Sequence, residues 1–327
     1  MKRVYVGIDI SEKTLDAAVC KNLKEEVDVV FQVRNNIKGI DKMVSKCRKY
    51  GKELWFCFEH TGNYGLLLSS QLEALGQAYS ALPPLELKRS LGLVRGKNDK
   101  VDARRIAIYA ASHAHKLKRT QLVRETLLKI KSLLTYRMQL SETLRRFKNS
   151  LKSHSITHST IKIESIVNGI KDNIQNLEKQ IKAVEKEIME LIGSDDKLKE
   201  NFDKISSVTG IGPIIASYML VLTNNFTFFN NPRKFNCYSG LAPFEHRSGT
   251  SIIKKTKTSR LRNKKMKALL YNGANSAARY DMQLRAYYNR KKKEGKHHQL
   301  IMNNIACKLV YRVFAVVNRE EPYVKFQ

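Results

Sequence analysis

Acids, cysteines and helix breakers are all scarce in this chain, and each scarcity excludes something. Thirty Asp and Glu face sixty Lys and Arg over 327 residues, a formal charge of +30. Such an excess selects a polyanionic partner, with nucleic acid first and a membrane surface second. The five cysteines, Cys20, Cys47, Cys57, Cys237 and Cys307, are odd in number and form no C-x-x-C pair. They argue against a disulfide framework and a structural zinc, and they fit a reducing cytoplasm. No apolar run of spanning length stands out, and MKRVYVGIDI leads into a strand instead of a secretory signal, so no membrane partner is expected. Low-complexity linkers and convincing internal repeats are missing too. Of the six prolines, none falls between residues 120 and 191.

A few of the acids present stand in telling positions. GKNDKVDARR (96–105) sets Asp99 and Asp102 three residues apart, among Lys97, Lys100, Arg104 and Arg105. Residues at i and i+3 share a helix face. Acids also favour the first turn of a helix, so a helix start explains the pair as well as a metal site does. Upstream, 3–9 (RVYVGID), 14–20 and 25–33 read as strands, followed by a helix capped at Asn35 or Asn36 and running to about Tyr50. Ile37, Ile40, Val44 and Cys47 share one face of it. A strand at 53–59 (ELWFCFE), the turn HTGNYG, a helix through Leu66, Leu67, Leu72 and Leu75, and a strand QAYSAL closed by Pro83 and Pro84 complete the series. A meander followed by alternating helices and strands predicts a mixed sheet with helices on its faces.

Asp9 and Glu59 end the two strands expected to be central, and ligand crevices in open α/β sheets lie at strand ends. A helix beginning near Asp99 delivers Asp99 and Asp102 to the same place. Four converging carboxylates repel one another unless a hard cation such as Mg²⁺ or Mn²⁺ lies between them. Two such ions about 3.5–4 Å apart activate an attacking oxygen and stabilise a leaving one in phosphoryl transfer.

GID at 7–9, EHTGNY at 59–64 and KNDKVDA at 97–103 resemble the three motifs of the DEDD insertion-sequence transposases, the Piv/MooV-like group of bridge-RNA-guided recombinases. The resemblance implies a RuvC-like α/β domain of the ribonuclease H superfold over 1–119, with Asp9, Glu59, Asp99 and Asp102 as catalytic, metal-binding acids. His60 and Asn63 then shape the turn or support the ligands.

The middle of the chain, 120–200, reads as a helical arm. Ile170, Ile174, Leu177, Ile181, Val184, Ile188 and Leu191 alternate spacings of four and three, an a/d seam of three heptads. Before it, Leu127, Ile130, Leu134, Leu144 and Leu151 form a rougher stripe broken by Arg137 and Ser141, and SHSITHST (153–160) reads as a turn between two helices. An exposed seam needs a partner, either the neighbouring helix or a second subunit, and the dimer is the favoured expectation. In the resembling family a coiled coil occupies this place and supports oligomers, from dimer to tetramer.

The last third, 201–327, is expected to be mainly α and strongly basic. SVTGIGP joins a glycine turn to an apolar helix, an element that either approaches a phosphate or simply turns the chain. Residues 251–300 hold fifteen Lys and Arg against Asp281 and Glu294, which suits a phosphate-binding surface on interrupted helices. Tyr271, Tyr280, Tyr287 and Tyr288 are interleaved there, at spacings that favour core or boundary positions over base stacking. The series TGIGP, YSGLAP, HRSGTS and KALLYNGA resembles the serine-carrying second domain of the same transposases. Matched by position, the nucleophile is Ser248, flanked by His246, Arg247 and Gly249, with Ser239 and Ser251 as competitors. Arg247 before it and Thr250 after Gly249 depart from the usual doubled serine. Arg247, Lys254, Lys255, Lys257, Arg260, Arg262, Lys264 and Lys265 join Lys97, Lys100, Arg104 and Arg105 as expected nucleic-acid contacts.

The function implied is cutting and rejoining of donor and target DNA for an insertion sequence in a prokaryotic cytoplasm, at the nucleoid, with a structured guide RNA as a further partner. Two other readings stay open on the residues. One is a RuvC-like nuclease acting on branched DNA with water as nucleophile; the other is a non-catalytic nucleic-acid scaffold.

Overall fold

A computed structural model describes residues 3–21, 27, 29–60, 62, 64–90, 98–158, 164–248 and 252–324, without side chains at 157, 158, 245–248, 252–255 and 257. The chain divides into two compact units, 1–122 and 123–327, where the sequence suggests three segments.

The first unit follows the expected order. Strands β1 (Val4–Ile10), β2 (Thr14–Cys20) and β3 (Val29–Arg34) form the meander; α1 (Ile37–Arg48), β4 (Leu54–Glu59), α2 (Leu66–Ala74), β5 (Ala78–Leu82), α3 (Pro84–Ser90) and α4 (Asp99–Ser112) follow. The sheet order is β3-β2-β1-β4-β5. β1, β2 and β3 pair antiparallel, and β4 and β5 run parallel to β1. β1 and β4 are therefore central neighbours, as the sequence predicts. Residues of alternate parity face opposite layers. Val6, Ile8, Phe56 and Phe58 build the larger core with Ile40, Met43, Leu68 and Leu72 of α1 and α2. Ile37, Leu66 and Leu67, expected inside, are 54 %, 40 % and 39 % exposed; Met43 and Leu68 take the inward positions. The opposite face is covered by α4, whose Ala103, Ala107 and Ala111 lie on Ala18 and Cys20. Segment 118–120 flanks edge strand β5: Thr120 N donates to Tyr79 O at 2.8 Å, and Ser80 Oγ donates to Lys118 O at 2.7 Å. That covers an edge otherwise open to another strand.

The second unit is built on two long helices, α5 (Glu125–His158) and α6 (Glu164–Gly193). Helix α5 continues to His158, through most of the stretch expected to turn. Arg124–Asp195, Arg137–Glu185 and Lys148–Glu178 bridges fix the pair as antiparallel. Ile170, Val184, Ile188 and Ile192 of α6 are buried, as are Leu127, Ile130, Leu134 and Leu140 of α5. The seam is thus closed within one chain. Arg137, one of the two residues that interrupt the α5 stripe, reaches Glu185 at 2.6 Å. Most of these apolar residues belong to one core with α7 (Asp196–Ser206), α8 (Pro213–Thr223), α9 (Pro232–Tyr238), α10 (Lys264–Tyr280), α11 (Met282–Lys293) and α12 (His298–Arg319). Between α9 and α10 lies a hairpin, β6 (Pro243–Ser248) paired antiparallel with β7 (Ile252–Thr258), where interrupted helices were expected.

Helix α12 corrects the reading of apolar runs, because it is long and apolar enough to cross a membrane. Its Ile301, Ile305, Leu309, Val313 and Phe314 are nearly inaccessible at the centre of this core. A helix apolar on most sides is a core helix when other helices surround it.

Candidate active site

Four acids predicted as a set lie on one side of the first unit's sheet. Asp9 and Glu59 each stand one residue beyond the Ile8–Phe58 pair of the parallel strands β1 and β4. Their parity, shared with Gly7 and Cys57, turns them to the face covered by α4. Helix α4 begins at Asp99 because Asn98, in extended backbone, caps it: the Asn98 side chain accepts from Lys100 N at 3.1 Å. Asp99 and Asp102 both occupy the first turn, where the helix N-terminus favours negative charge.

Gly7 determines how closely that turn approaches. A Cβ at this position would lie 2.2 Å from Ala107 N and 2.3 Å from Ala103 O. The backbone of α4 therefore rests directly on β1, two residues before Asp9.

The electrostatics register the convergence. The Asp9 carboxyl is pushed up to about 6, first by burial and then by the negative charges of Asp99, Asp102, Asp16 and Glu59. Ordinary aspartates sit near 3.9, so Asp9 holds its proton unusually hard in this field. Arg105 Nη1 donates to Asp102 Oδ1 at 2.9 Å and supplies one local counter-charge. Even so, among the described residues no three His, Cys, Asp or Glu side chains come close enough to grip a metal ion as they stand. The acids meet at the range of a shared field and not at coordinating distance. The donor set still fits a hard divalent cation: all oxygen, concentrated charge, and a half-buried carboxyl destabilised by its neighbours.

Asp16 is the acid that motif reasoning missed. It pairs directly across from Asp9 in β2 and is 2 % exposed. Gln32 Nε2 of β3 donates to its Oδ2 at 2.9 Å, while Oδ1 is buried without a hydrogen-bond partner among the described residues. The signal was present as an acid in mid-strand among TLDAAVC, where every other position from Leu15 to Cys20 is buried and uncharged.

The expected nucleic-acid contacts separate into groups. Lys100 and Arg104 are exposed on α4, whereas Arg105 is half-buried on Asp102; Lys97, with Asn63, lies outside the described residues. In the second unit, Arg260 and Lys264 are exposed. Arg262 turns inward, donating to Ser259 O at 3.0 Å and packing where a Cβ on Gly240 would stand. Lys265 sits 4.3 Å over the Tyr218 ring, and burial lowers its pKa. Lys267, not anticipated, donates to Gly240 O at 2.8 Å. Lys254, Lys255 and Lys257 lie on β7.

Ser248 ends β6, paired with Ile252 at the tip of the hairpin, and Arg247 pairs with Ile253; their side chains, with residues 249–251, lie outside the description. Ser239 drops out as a competitor. It is fully buried, and its hydroxyl donates to Phe235 O at 2.8 Å. Gly210, in the TGIGP turn, has φ +96°, and a Cβ on it would lie 2.5 Å from Gly273 O of α10. Its glycine serves close helix packing. Of the tyrosines, Tyr271, Tyr287 and Tyr288 pack on the core, and Tyr280 is 74 % exposed.

Comparison with known proteins places both units. A transposase family model, the DEDD type of the IS110 elements, matches residues 6–155. A second, for transposases of the IS116/IS110/IS902 family, matches residues 203–289. The chain is 26 % identical over 334 aligned positions to the pilin gene-inverting protein of Moraxella bovis, covering 99 % of both chains, and equally so to its counterpart in Moraxella lacunata. It is 23 % identical to the transposase for insertion sequence element IS1533 of Leptospira borgpetersenii, over 71 % of this chain and 73 % of that one.

Proposed function

For this chain, which belongs to the IS116/IS110/IS902 transposase family, we propose a serine recombination mechanism assisted by a divalent metal. DNA is the substrate of such enzymes, and strand cleavage with rejoining is the reaction. The observation that carries the reading is the convergence of Asp9, Glu59, Asp99 and Asp102 on one side of an RNase H-like sheet, where burial first and the neighbouring negative charges second push Asp9 up to about 6. These four would hold Mg²⁺ or Mn²⁺, drawn in from field range onto the ion. When bound, the cation neutralises charge at a scissile phosphate and acidifies an oxygen nearby.

Ser248 is the proposed nucleophile. Its Oγ forms a bond to the scissile phosphorus, the bond from phosphorus to the 3′ oxygen breaks, and the proton lost by the serine ends on the released 3′-hydroxyl. The product is a phosphoester between Ser248 and the 5′ end. Attack by another strand's 3′-hydroxyl reverses each bond change, so no external energy source is needed. Lys100 and Arg104, both exposed on α4, would meet the phosphate backbone. Arg247, Lys254, Lys255, Lys257, Arg260 and Lys264 would do so around the hairpin. A structured guide RNA, a multimeric assembly with more than one subunit, and action at the bacterial nucleoid complete the reading. They are inherited from the family resemblance and are compatible with the charge of +30.

The test is strand exchange on an element-end substrate with Mn²⁺. Ser248→Ala should abolish the covalent protein–DNA species and strand exchange, and Asp102→Asn should abolish all metal-dependent cleavage. If Ser248→Ala still exchanges strands, the serine mechanism is wrong. If it leaves simple hydrolysis intact, water is the nucleophile.

A further inference from the structure

Asp16 is a buried acid that the four-acid motif does not account for. It sits opposite Asp9 in the β1–β2 ladder, with its side chain on the same face of the sheet. Cross-strand partners of this kind have Cβ atoms about 4.5–5.5 Å apart, so the two carboxyls are immediate neighbours. Gln32, opposite Asp16 in turn, holds Oδ2 at 2.9 Å. Oδ1 has no hydrogen-bond partner among the described residues, and the residue is 2 % exposed. A buried acceptor left unpaired is costly, and a carboxylate placed beside another carboxylate is costlier still. Folding alone gives no reason to keep an acid here, since Ala18 and Cys20 fill the same face of β2 next to it.

We propose that Asp16 is a fifth acid of the cation site, its free Oδ1 completing the oxygen set around an ion held at Asp9. This rests on the metal reading above and extends it to a residue outside the four-acid motif. The geometry assigns distinct tasks to the two oxygens: Gln32 fixes Oδ2, and so the rotamer, while Oδ1 stays available to the ion or its bound water. A hydrogen-bonded support of this type typically changes metal affinity by about 10–100-fold when removed.

Calorimetric titration of the full-length protein with Mn²⁺ tests this, together with thermal melting of each variant without added metal. Asp16→Asn, which keeps shape and removes charge, should bind Mn²⁺ at least about tenfold more weakly than wild type. It should melt at or above the wild-type temperature without metal, because a repelling charge is gone. Gln32→Leu should weaken binding less, since Oδ1 survives. Wild-type affinity in Asp16→Asn, with Asp9→Asn losing binding, overturns this proposal and leaves the four-acid reading standing. An Asp16→Asn protein that no longer melts cooperatively assigns the residue to folding and overturns it as well. No Mn²⁺ binding by wild type itself removes both.

Discussion

Replacing Gly7 by alanine puts the packing of the site to a quantitative test. The added Cβ would stand 2.2 Å from Ala107 N and 2.3 Å from Ala103 O, both backbone atoms of α4. Ordinary contact for such pairs begins near about 3.5 Å, and neither atom can rotate away as a side chain can. Helix α4 must therefore retreat from β1 by roughly 1 Å. Overpacking of a core by one carbon costs about 1–3 kcal/mol. The larger effect falls on the site, because Asp99 and Asp102 ride on the first turn of that helix. A displacement of about 1 Å costs a catalytic constellation on the order of 100-fold. The expected outcome is a folded Gly7→Ala protein with a lowered melting temperature. Mn²⁺ binding and strand cleavage should fall by far more than the stability loss predicts. Melting by circular dichroism, manganese titration and a cleavage assay report the three quantities separately. If Gly7→Ala melts lower but cleaves at the wild-type rate, the close approach of α4 to β1 does not position the acids.

Three further outcomes follow from other parts of the molecule. Gly169→Ala, at an exposed α6 site where a Cβ meets nothing within 4 Å, should stabilise the second unit by up to about 1 kcal/mol, read as a raised denaturation midpoint. Asp281→Ala should destabilise by about 3 kcal/mol in urea melts, because the 7 % exposed carboxylate caps α11 at Leu284 N and holds Arg312 at 2.7 Å. The metal-free first unit should lose stability as pH rises from 3.8 towards 6, since the folded Asp9 carboxyl, raised to about 6, binds its proton more tightly than the unfolded one. That loss should shrink in Asp9→Asn, and Mn²⁺ should restore stability above pH 6; melting temperatures across this range, with and without the ion, measure both.

The element order of the first unit was legible in the sequence because its strands are short β-branched runs bounded by turn residues. The four acids were legible because the three motifs contain all of them, two at the ends of apolar strands and two at a capped helix start. Asp16 was not, since motif reading looks at strand ends, and the relation of residue 16 to residue 9 is a property of register. The register has a local cause: Ser11 and Thr14 close the turn, with Ser11 N donating to Thr14 O at 3.0 Å and Thr14 N donating to Ser11 Oγ at 3.0 Å. From that turn the pairing Ile10–Leu15, Asp9–Asp16 follows residue by residue. Sequence alone offered the turn residues but not the decision to pair there.

The helical arm shows a different limit. A heptad seam records that something apolar must cover it, and the same pattern serves a neighbouring helix or a second chain. Here the antiparallel bridges from Arg124–Asp195 to Lys148–Glu178 show α5 doing the covering, so the seam no longer argues for a dimer. Among the described residues, the exposed large apolar side chains of the arm include Tyr136 at 45 %, Ile156 at 69 % and Ile166 at 41 %. A multimer that uses apolar contacts of this arm is expected to draw on such outward residues rather than on the buried Val184, Ile188 and Ile192. Polar substitutions divide the two cases. At Ile156 and Ile166 they should weaken self-association in sedimentation with little change in melting temperature, whereas at Ile188 they should unfold the second unit. Unaltered sedimentation of the Ile156 and Ile166 variants, in a protein that does associate, would place the assembly contacts away from these two residues.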